Sequence, residues 1–148
     1  MTQGVAALPA DAERRLLILT PFGRDSELLC RMLEPDGFHC KACGKMSELA
    51  REAQAGAAAL IVHEEALGRE TAQLLEVVER QPPWSDLPII VLTRTGADWT
   101  AVQEAIGKLG NVTLVERPVR IAALRSTIRT ALRARDRQYQ TRDYLRER

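Results

Sequence analysis

Four short aliphatic runs, each followed by a longer amphipathic stretch, leave this chain few folds to adopt. They are Leu16-Leu17-Ile18-Leu19, Ala59-Leu60-Ile61-Val62, Pro88-Ile89-Ile90-Val91-Leu92 and Val112-Thr113-Leu114-Val115. Runs this apolar, without alternation, are the mark of strands buried on both faces, and parallel strands need crossovers long enough to hold a helix. In such a sheet the carboxyl ends of the strands share one edge, where ligands and chemistry are found. The residues that follow the four runs are therefore the candidate site: Thr20-Pro21, His63-Glu64-Glu65, Thr93-Arg94 and Glu116-Arg117-Pro118.

The intervening stretches read as helices. Leu28, Leu29, Met32 and Leu33 share one face of a helix that begins near Asp25 or Ser26 and stops before Pro35, with Asp36-Gly37 turning the chain into a strand over Phe38 to Ala42. Ser47 is placed to cap a second helix carrying Leu49, Ala50 and Ala53, and Gly56 closes it. Leu67, Leu74, Leu75 and Val78 mark a third helix, ended by Pro82-Pro83. Asp98 is placed to cap a fourth, with Val102, Ala105, Ile106 and Leu109 inward and Gly110 as its stop. From Arg120 onward neither Gly nor Pro occurs, which predicts one helix to the end of the chain. The expectation is an α/β fold of five parallel strands strictly alternating with five helices.

That last helix carries its core stripe, Ile121, Leu124, Ile128, Ala131 and Leu132, only in its first half. Beyond it the sequence is charged, and heptads continued from Leu124 and Ile128 land on Arg135 and Arg142, which argues against a strong coiled coil. An isolated helix is marginal in water, so residues 135–148 are expected to extend the helix as a connector or to pair with a second copy, the plain alternative being a frayed charged terminus. Residues 1–13 are expected to be a flexible segment and 14–134 the domain.

A chain of 148 residues is long enough to bury a core without disulfides or metal. The net charge of +1 hides an asymmetry, since residues 120–148 carry nine Arg and sum to +6. No apolar stretch approaches a membrane span and the amino terminus lacks a signal-peptide pattern, so the expected location is cytoplasmic with no membrane contact. Cys30, Cys40 and Cys43 are an odd count, unsuited to a disulfide framework. Cys40-Lys41-Ala42-Cys43 has the spacing of a metal knuckle or redox pair. On a strand, however, an offset of three sends the thiols to opposite faces, and only His39 is near as a further ligand, so ordinary buried residues are expected.

The strand–helix alternation, the hydroxyl residue Thr93 closing the fourth strand and the basic-Pro pair Arg117-Pro118 closing the fifth together resemble the receiver domain of two-component response regulators, over roughly residues 14 to 134. The resemblance implies a (βα)5 flavodoxin-like fold with strand order 2-1-3-4-5 and a cis peptide before Pro118. The segments Gln81 to Pro88 and Arg133 to Gln140 are similar to receiver-like domains at the amino termini of bacterial hybrid histidine kinases.

Receivers phosphorylate an Asp after the third strand, with Mg²⁺ held by an acidic pair after the first, and a hydroxyl and a Lys contacting the phosphoryl oxygens. Phosphoryl transfer is mostly positioning and charge neutralisation, so each part matters. Here the acidic pair falls on Thr20-Pro21, the acceptor on His63, the hydroxyl on Thr93, the Lys on Arg117 and the aromatic switch residue on Leu114. A degenerate phosphoacceptor pocket of Thr20, Pro21, His63, Glu64, Thr93, Arg117 and Pro118 is expected. It has no catalytic residues, no metal and no cofactor, magnesium included. His63-Glu64-Glu65 also echoes the His-Glu box of histidine kinases, but that box belongs on an exposed helix and His63 follows a buried strand.

The function expected is a non-catalytic signalling module of a two-component phosphorelay, the amino-terminal regulatory domain of a sensor or hybrid histidine kinase. It would act through a kinase module or a second copy of itself as a homodimer. Trp99, Ile106, Arg125, Arg129, Arg133 and Tyr139 are the candidate interaction residues. One alternative is a phosphoacceptor using Glu64 or Glu65. The other is nonspecific nucleic-acid binding through the Arg-rich tail, which lacks any base-reading motif.

Overall fold

The computed structural model describes residues 12–20, 23–94 and 99–147; within its helices the side chains of residues 23, 68, 69, 99, 101 and 102 are outside the description. Five parallel strands, β1 (Arg15–Leu19), β2 (His39–Cys43), β3 (Ala59–His63), β4 (Ile89–Thr93) and β5 (Val112–Glu116), form one sheet in the order β2-β1-β3-β4-β5. Five helices connect and follow them: α1 (Gly23–Leu33), α2 (Met46–Ala55), α3 (Glu64–Arg80), α4 (Trp99–Leu109) and α5 (Ile121–Glu147). This is the expected (βα)5 arrangement.

The period-two geometry of a strand sorts each aliphatic run between two cores. Leu16, Ile18, Ala59, Ile61, Ile90 and Leu92 face Cys30 and Leu33 of α1 and Leu124 and Ile128 of α5. Leu17, Leu19, Leu60, Val62, Ile89 and Val91 face Leu49 of α2, Leu67 and Leu74 of α3 and Leu109 of α4. Every residue of β3 and β4 is buried, which explains why their sequences show no polar alternation. β5 is an edge strand, and Leu114 stands 39% exposed on it. Cys40 joins the first core and Cys43 the second, as the offset of three requires. The thiol that Cys40 meets is that of Cys30.

Several boundaries differ from the sequence reading. α1 starts at Gly23, ahead of Asp25, and a single 3-10 turn, Glu34–Asp36, follows it because Pro35 cannot continue the α-helix. β2 begins at His39, leaving Phe38 outside the strand, where it packs against the first core. Ser47 does not cap α2: Lys45 occupies that position with no side-chain bond, and Glu48 Oε1 instead accepts from the Gly44 N–H at 2.7 Å. Asp98 lies outside the described residues. Gly110 ends α4 at φ 88°, a left-handed conformation that only glycine takes without strain. The Arg117-Pro118 peptide is cis, as expected.

The largest difference is in α5, whose 27 residues run about 40 Å. Its charged second half is not detached but docks on the edge where the strands begin. Arg135 is buried and donates from Nε to the Ala57 carbonyl at 3.1 Å, and from its terminal nitrogen to Ser85 Oγ and Gln138 Oε1 at 2.7 Å each. Its guanidinium lies 5.7 Å from the Trp84 ring centroid and 4.7 Å from that of Tyr139. Arg142 stacks on the same two rings at 5.4 and 4.8 Å and pairs with Glu13. The Tyr139 hydroxyl donates to the Ala57 and Glu13 carbonyls, and Gln138 bonds both backbone groups of Asp86. The partner this helix needs is thus its own domain as far as Arg142, after which Tyr144 and Leu145 are exposed.

Candidate functional site

The ends of β1, β3, β4 and β5 bring Thr20, His63, Thr93 and Arg117 to one edge, as the four aliphatic runs imply. Pro21 lies outside the described residues. Thr20 and Thr93 are buried, and the Thr20 hydroxyl shares a 2.8 Å hydrogen bond with Ser26 Oγ of α1, which also accepts from the Thr20 N–H at 3.0 Å. The Arg117 N–H donates to the Thr93 carbonyl at 2.8 Å, tying the two strand ends together.

His63 closes β3 and is the residue just before α3, with extended backbone and only 2% exposure. Its Nδ1 stands 3.3 Å from the Glu65 N–H and 3.0 Å from Glu65 Oε1. A neutral imidazole nitrogen cannot accept from the first and donate to the second at once, and the shorter, charge-assisted contact assigns the proton to Nδ1. Nε2 is then a bare acceptor, and it is buried without a hydrogen-bond partner. Burial first, and the Arg117 charge second, hold the His63 pKa below the usual histidine value, outweighing the pull of Glu65 and Glu64. His63 is a buried residue at a helix start, not one on an exposed helix, so the kinase-box echo has no structural counterpart.

The two glutamates are held by arginines. Glu64 is 5% exposed and accepts from the Arg94 backbone N–H, with Arg94 Nε 3.4 Å away. Glu65 lies 3.7 Å from Arg94 Nε and 3.6 Å from an Arg117 terminal nitrogen. Among the described residues the donors at this edge are thus the Thr20 and Thr93 hydroxyls, a neutral imidazole, two arginine-paired carboxylates and the single carboxylate of Asp25 on α1. A hard divalent cation wants several oxygen ligands with uncompensated charge, and this set does not fit one. No group of three or more His, Cys, Asp or Glu among the described residues could hold a metal ion.

Of the candidate interaction residues, Arg129, Arg133 and Tyr139 line one groove along α5, whereas Ile106 lies on α4. Arg125 pairs with Asp36, and Arg129 lies 3.8 Å from the same carboxylate and 5.9 Å from the Phe38 ring centroid, so both are turned toward the α1–β2 connection. Tyr139 belongs to the Trp84 stack, with ring centroids 5.9 Å apart. Ile106 is half-buried on α4, Arg133 is exposed, and the Trp99 side chain lies outside the described residues. The sequence reading missed a pocket of about 320 Å³ between α1 and the start of α5, which opens beside His63. Its only trace in the sequence is that Leu28 and Met32 make the apolar face of α1 wider than one packed helix needs.

No protein-family model and no curated protein matches the sequence. Solved structures do match. One described as adenylate cyclase from Rhodopirellula baltica superposes with a TM-score of 0.74 at 18% identity, over 92% of this chain and 99% of that one. The beryllofluoride-activated NtrC4 receiver domain dimer gives 0.66 at 16% identity, covering 82% and 98%. A sensor protein from Polaromonas sp. JS666 gives 0.62 at 24% identity, covering 84% and 97%. At these identities the likeness is one of fold, and the fold is that of response-regulator receiver domains.

Proposed function

We propose that this chain is a pseudo-receiver: a two-component signalling module that acts by protein–protein contact and takes no phosphoryl group, serving as the amino-terminal regulatory domain of a sensor or hybrid histidine kinase. The observation that carries this reading is the ion cluster at the end of β3. Where a receiver presents an acceptor carboxylate, this chain has a buried neutral His63, and the carboxylates that follow are neutralised by Arg94 and Arg117. The cations that would offset an incoming phosphate are already engaged. Among the described residues no oxygen set is suited to magnesium, and no cofactor is assigned.

The partner is a kinase module or a second copy, and the edge strand β5 with its exposed Leu114 is the surface best suited to either. The likeness to a receiver dimer and to a sensor protein supports this assignment. A cytoplasmic location fits a phosphorelay component, and no described helix is long and apolar enough to cross a membrane. The arginine-rich tail favours protein packing over nucleic acid, because Arg125, Arg129, Arg135 and Arg142 are all engaged within the molecule.

Incubation with acetyl phosphate and Mg²⁺, read by intact mass, tests the reading. The expected result is no phosphoryl adduct; an adduct that disappears in Glu64→Gln or Glu65→Gln overturns it in favour of an unconventional acceptor.

A further inference from the structure

The pocket between α1 and α5 is built unlike a phosphate site. Leu28, Met32, Leu92, Val119 and Ile121 supply apolar lining, and His63 lies in it beside Thr20. Its volume of about 320 Å³ is at the small end of the ligand-pocket range, roughly 300 to 1,000 Å³. Leu28 and Met32 are 53% and 44% exposed, apolar surface that the isolated chain leaves in water on a single helix face. Met is the side chain best able to repack around a guest.

The lining charges are Asp25, Glu65 and Arg117, one negative charge in excess, so phosphate, nucleotides and carboxylates are disfavoured. The His63 side chain is 3% exposed with Nε2 lacking a partner, so a hydrogen-bond donor reaching it would satisfy an acceptor the fold leaves unmet. The lowered basicity of His63 keeps that nitrogen available.

We propose that this pocket binds a small, uncharged, largely apolar molecule bearing one hydrogen-bond donor, and that its occupancy replaces phosphorylation as the signal. The inference rests on the pseudo-receiver reading. The occupant is a small molecule because a volume of about 320 Å³ matches a ring system at the small end of ligand pockets.

Indole, an apolar ring with a single N–H, is the probe, titrated into the full chain and followed by methyl and imidazole NMR. Saturable shifts at the Leu28, Met32 and Val119 methyls and at His63 Nε2 are expected. Met32→Trp, which fills the cavity from an exposed position, should weaken binding by at least about tenfold, and Leu28→Trp should do the same. Shifts that do not saturate, that scatter over other surfaces, or that persist in both variants overturn the ligand. A phosphoryl adduct from acetyl phosphate and Mg²⁺, measured separately on the same protein, overturns the pseudo-receiver reading on which the ligand rests.

Discussion

Replacing Arg135 by alanine should cost about 1.5–3 kcal/mol of folding stability and release the end of α5. The wild-type guanidinium makes three hydrogen bonds, to the Ala57 carbonyl, Ser85 Oγ and Gln138 Oε1, and sits on two aromatic rings. Hydrogen bonds from a charged donor contribute about 1.5–3 kcal/mol each, and a partly desolvated cation–ring contact about 0.5–2 kcal/mol. Two effects reduce the sum. Removing a buried charge recovers several kcal/mol of desolvation, and two of the three acceptors keep another donor. Ala57 O keeps the Tyr139 hydroxyl at 2.7 Å and Gln138 Oε1 keeps the Asp86 N–H at 2.8 Å, while Ser85 Oγ loses its donor and keeps its own donation to Gln81 Oε1 at 2.7 Å.

Urea unfolding near neutral pH measures the difference, and amide exchange locates it. Residues 136–147 should lose protection while the first turns of α5, anchored by Leu124 and Ile128, keep theirs. Arg135→Lys should be nearly as damaging, because a point charge cannot span three acceptors and two rings. A loss below about 0.5 kcal/mol, the range of neutral surface changes, would refute the reasoning, as would unchanged exchange in the tail.

Acid should weaken the fold through His63: its folded pKa lies below the unfolded value of 6.5, so the unfolded chain binds more protons as pH falls past 6.5. Stability should therefore fall with pH below that point, by at most about 1.4 kcal/mol per unit, and His63→Gln should flatten the slope; an unchanged slope in that variant would count against a buried neutral imidazole. Cysteine labelling should separate native from unfolded chain. Burial raises Cys30 and pushes Cys40 to about 12 and Cys43 to about 11, so iodoacetamide near neutral pH should spare all three until urea is added. Rapid alkylation of native Cys43, read by peptide mass, would contradict its placement in the core.

What could be read from the sequence, and what could not, divides by the range of the interaction. β1, β3 and β4 were legible because burial on both faces leaves an uninterrupted aliphatic run, whereas β5 carries such a run as an edge strand with no fully buried residue; Thr20, His63, Thr93 and Arg117 follow as strand ends. Gly56 and Gly110 as helix stops are equally local. Ser47 misled because a hydroxyl at a helix start competes with an acid one residue on: Glu48 reaches back to Gly44 and makes the cap unnecessary.

The docking of Arg135 could not be read from α5 alone. Heptad counting places Arg135 on the seam continued from Ile128, where a charged residue reads only as a break in that seam, and its partners Ala57 and Ser85 lie 78 and 50 residues away. The usable signal was aromatic: Trp84 and Tyr139 are two of only six aromatic residues in the chain. Rings that scarce, in a loop and on an otherwise charged helix, are candidates to cover a buried cation.

These contacts give α5 a defined mechanical position. Ile121 and Leu124, at its start, line the pocket beside His63, while Arg135, Tyr139 and Arg142 hold its far part to Ala57, Trp84 and Glu13 on the opposite edge of the sheet. Ile128 is fully buried between the two. A helix without Gly or Pro resists bending, so a displacement of Ile121 by an occupant either stops at the packed Ile128 or travels on to the arginine stack. Native cores shift between discrete packings more readily than they deform, and the stack is the polar, hydrogen-bonded segment that ties the second half of α5 to the starts of β1, β3 and β4. Occupancy at one edge is therefore legible at the other only if it changes whether Arg135 and Arg142 remain between their rings. Indole-induced shifts at the Trp84 and Tyr139 rings, present in the wild type and absent in Arg135→Ala, would demonstrate that transmission, and shifts confined to the pocket would exclude it.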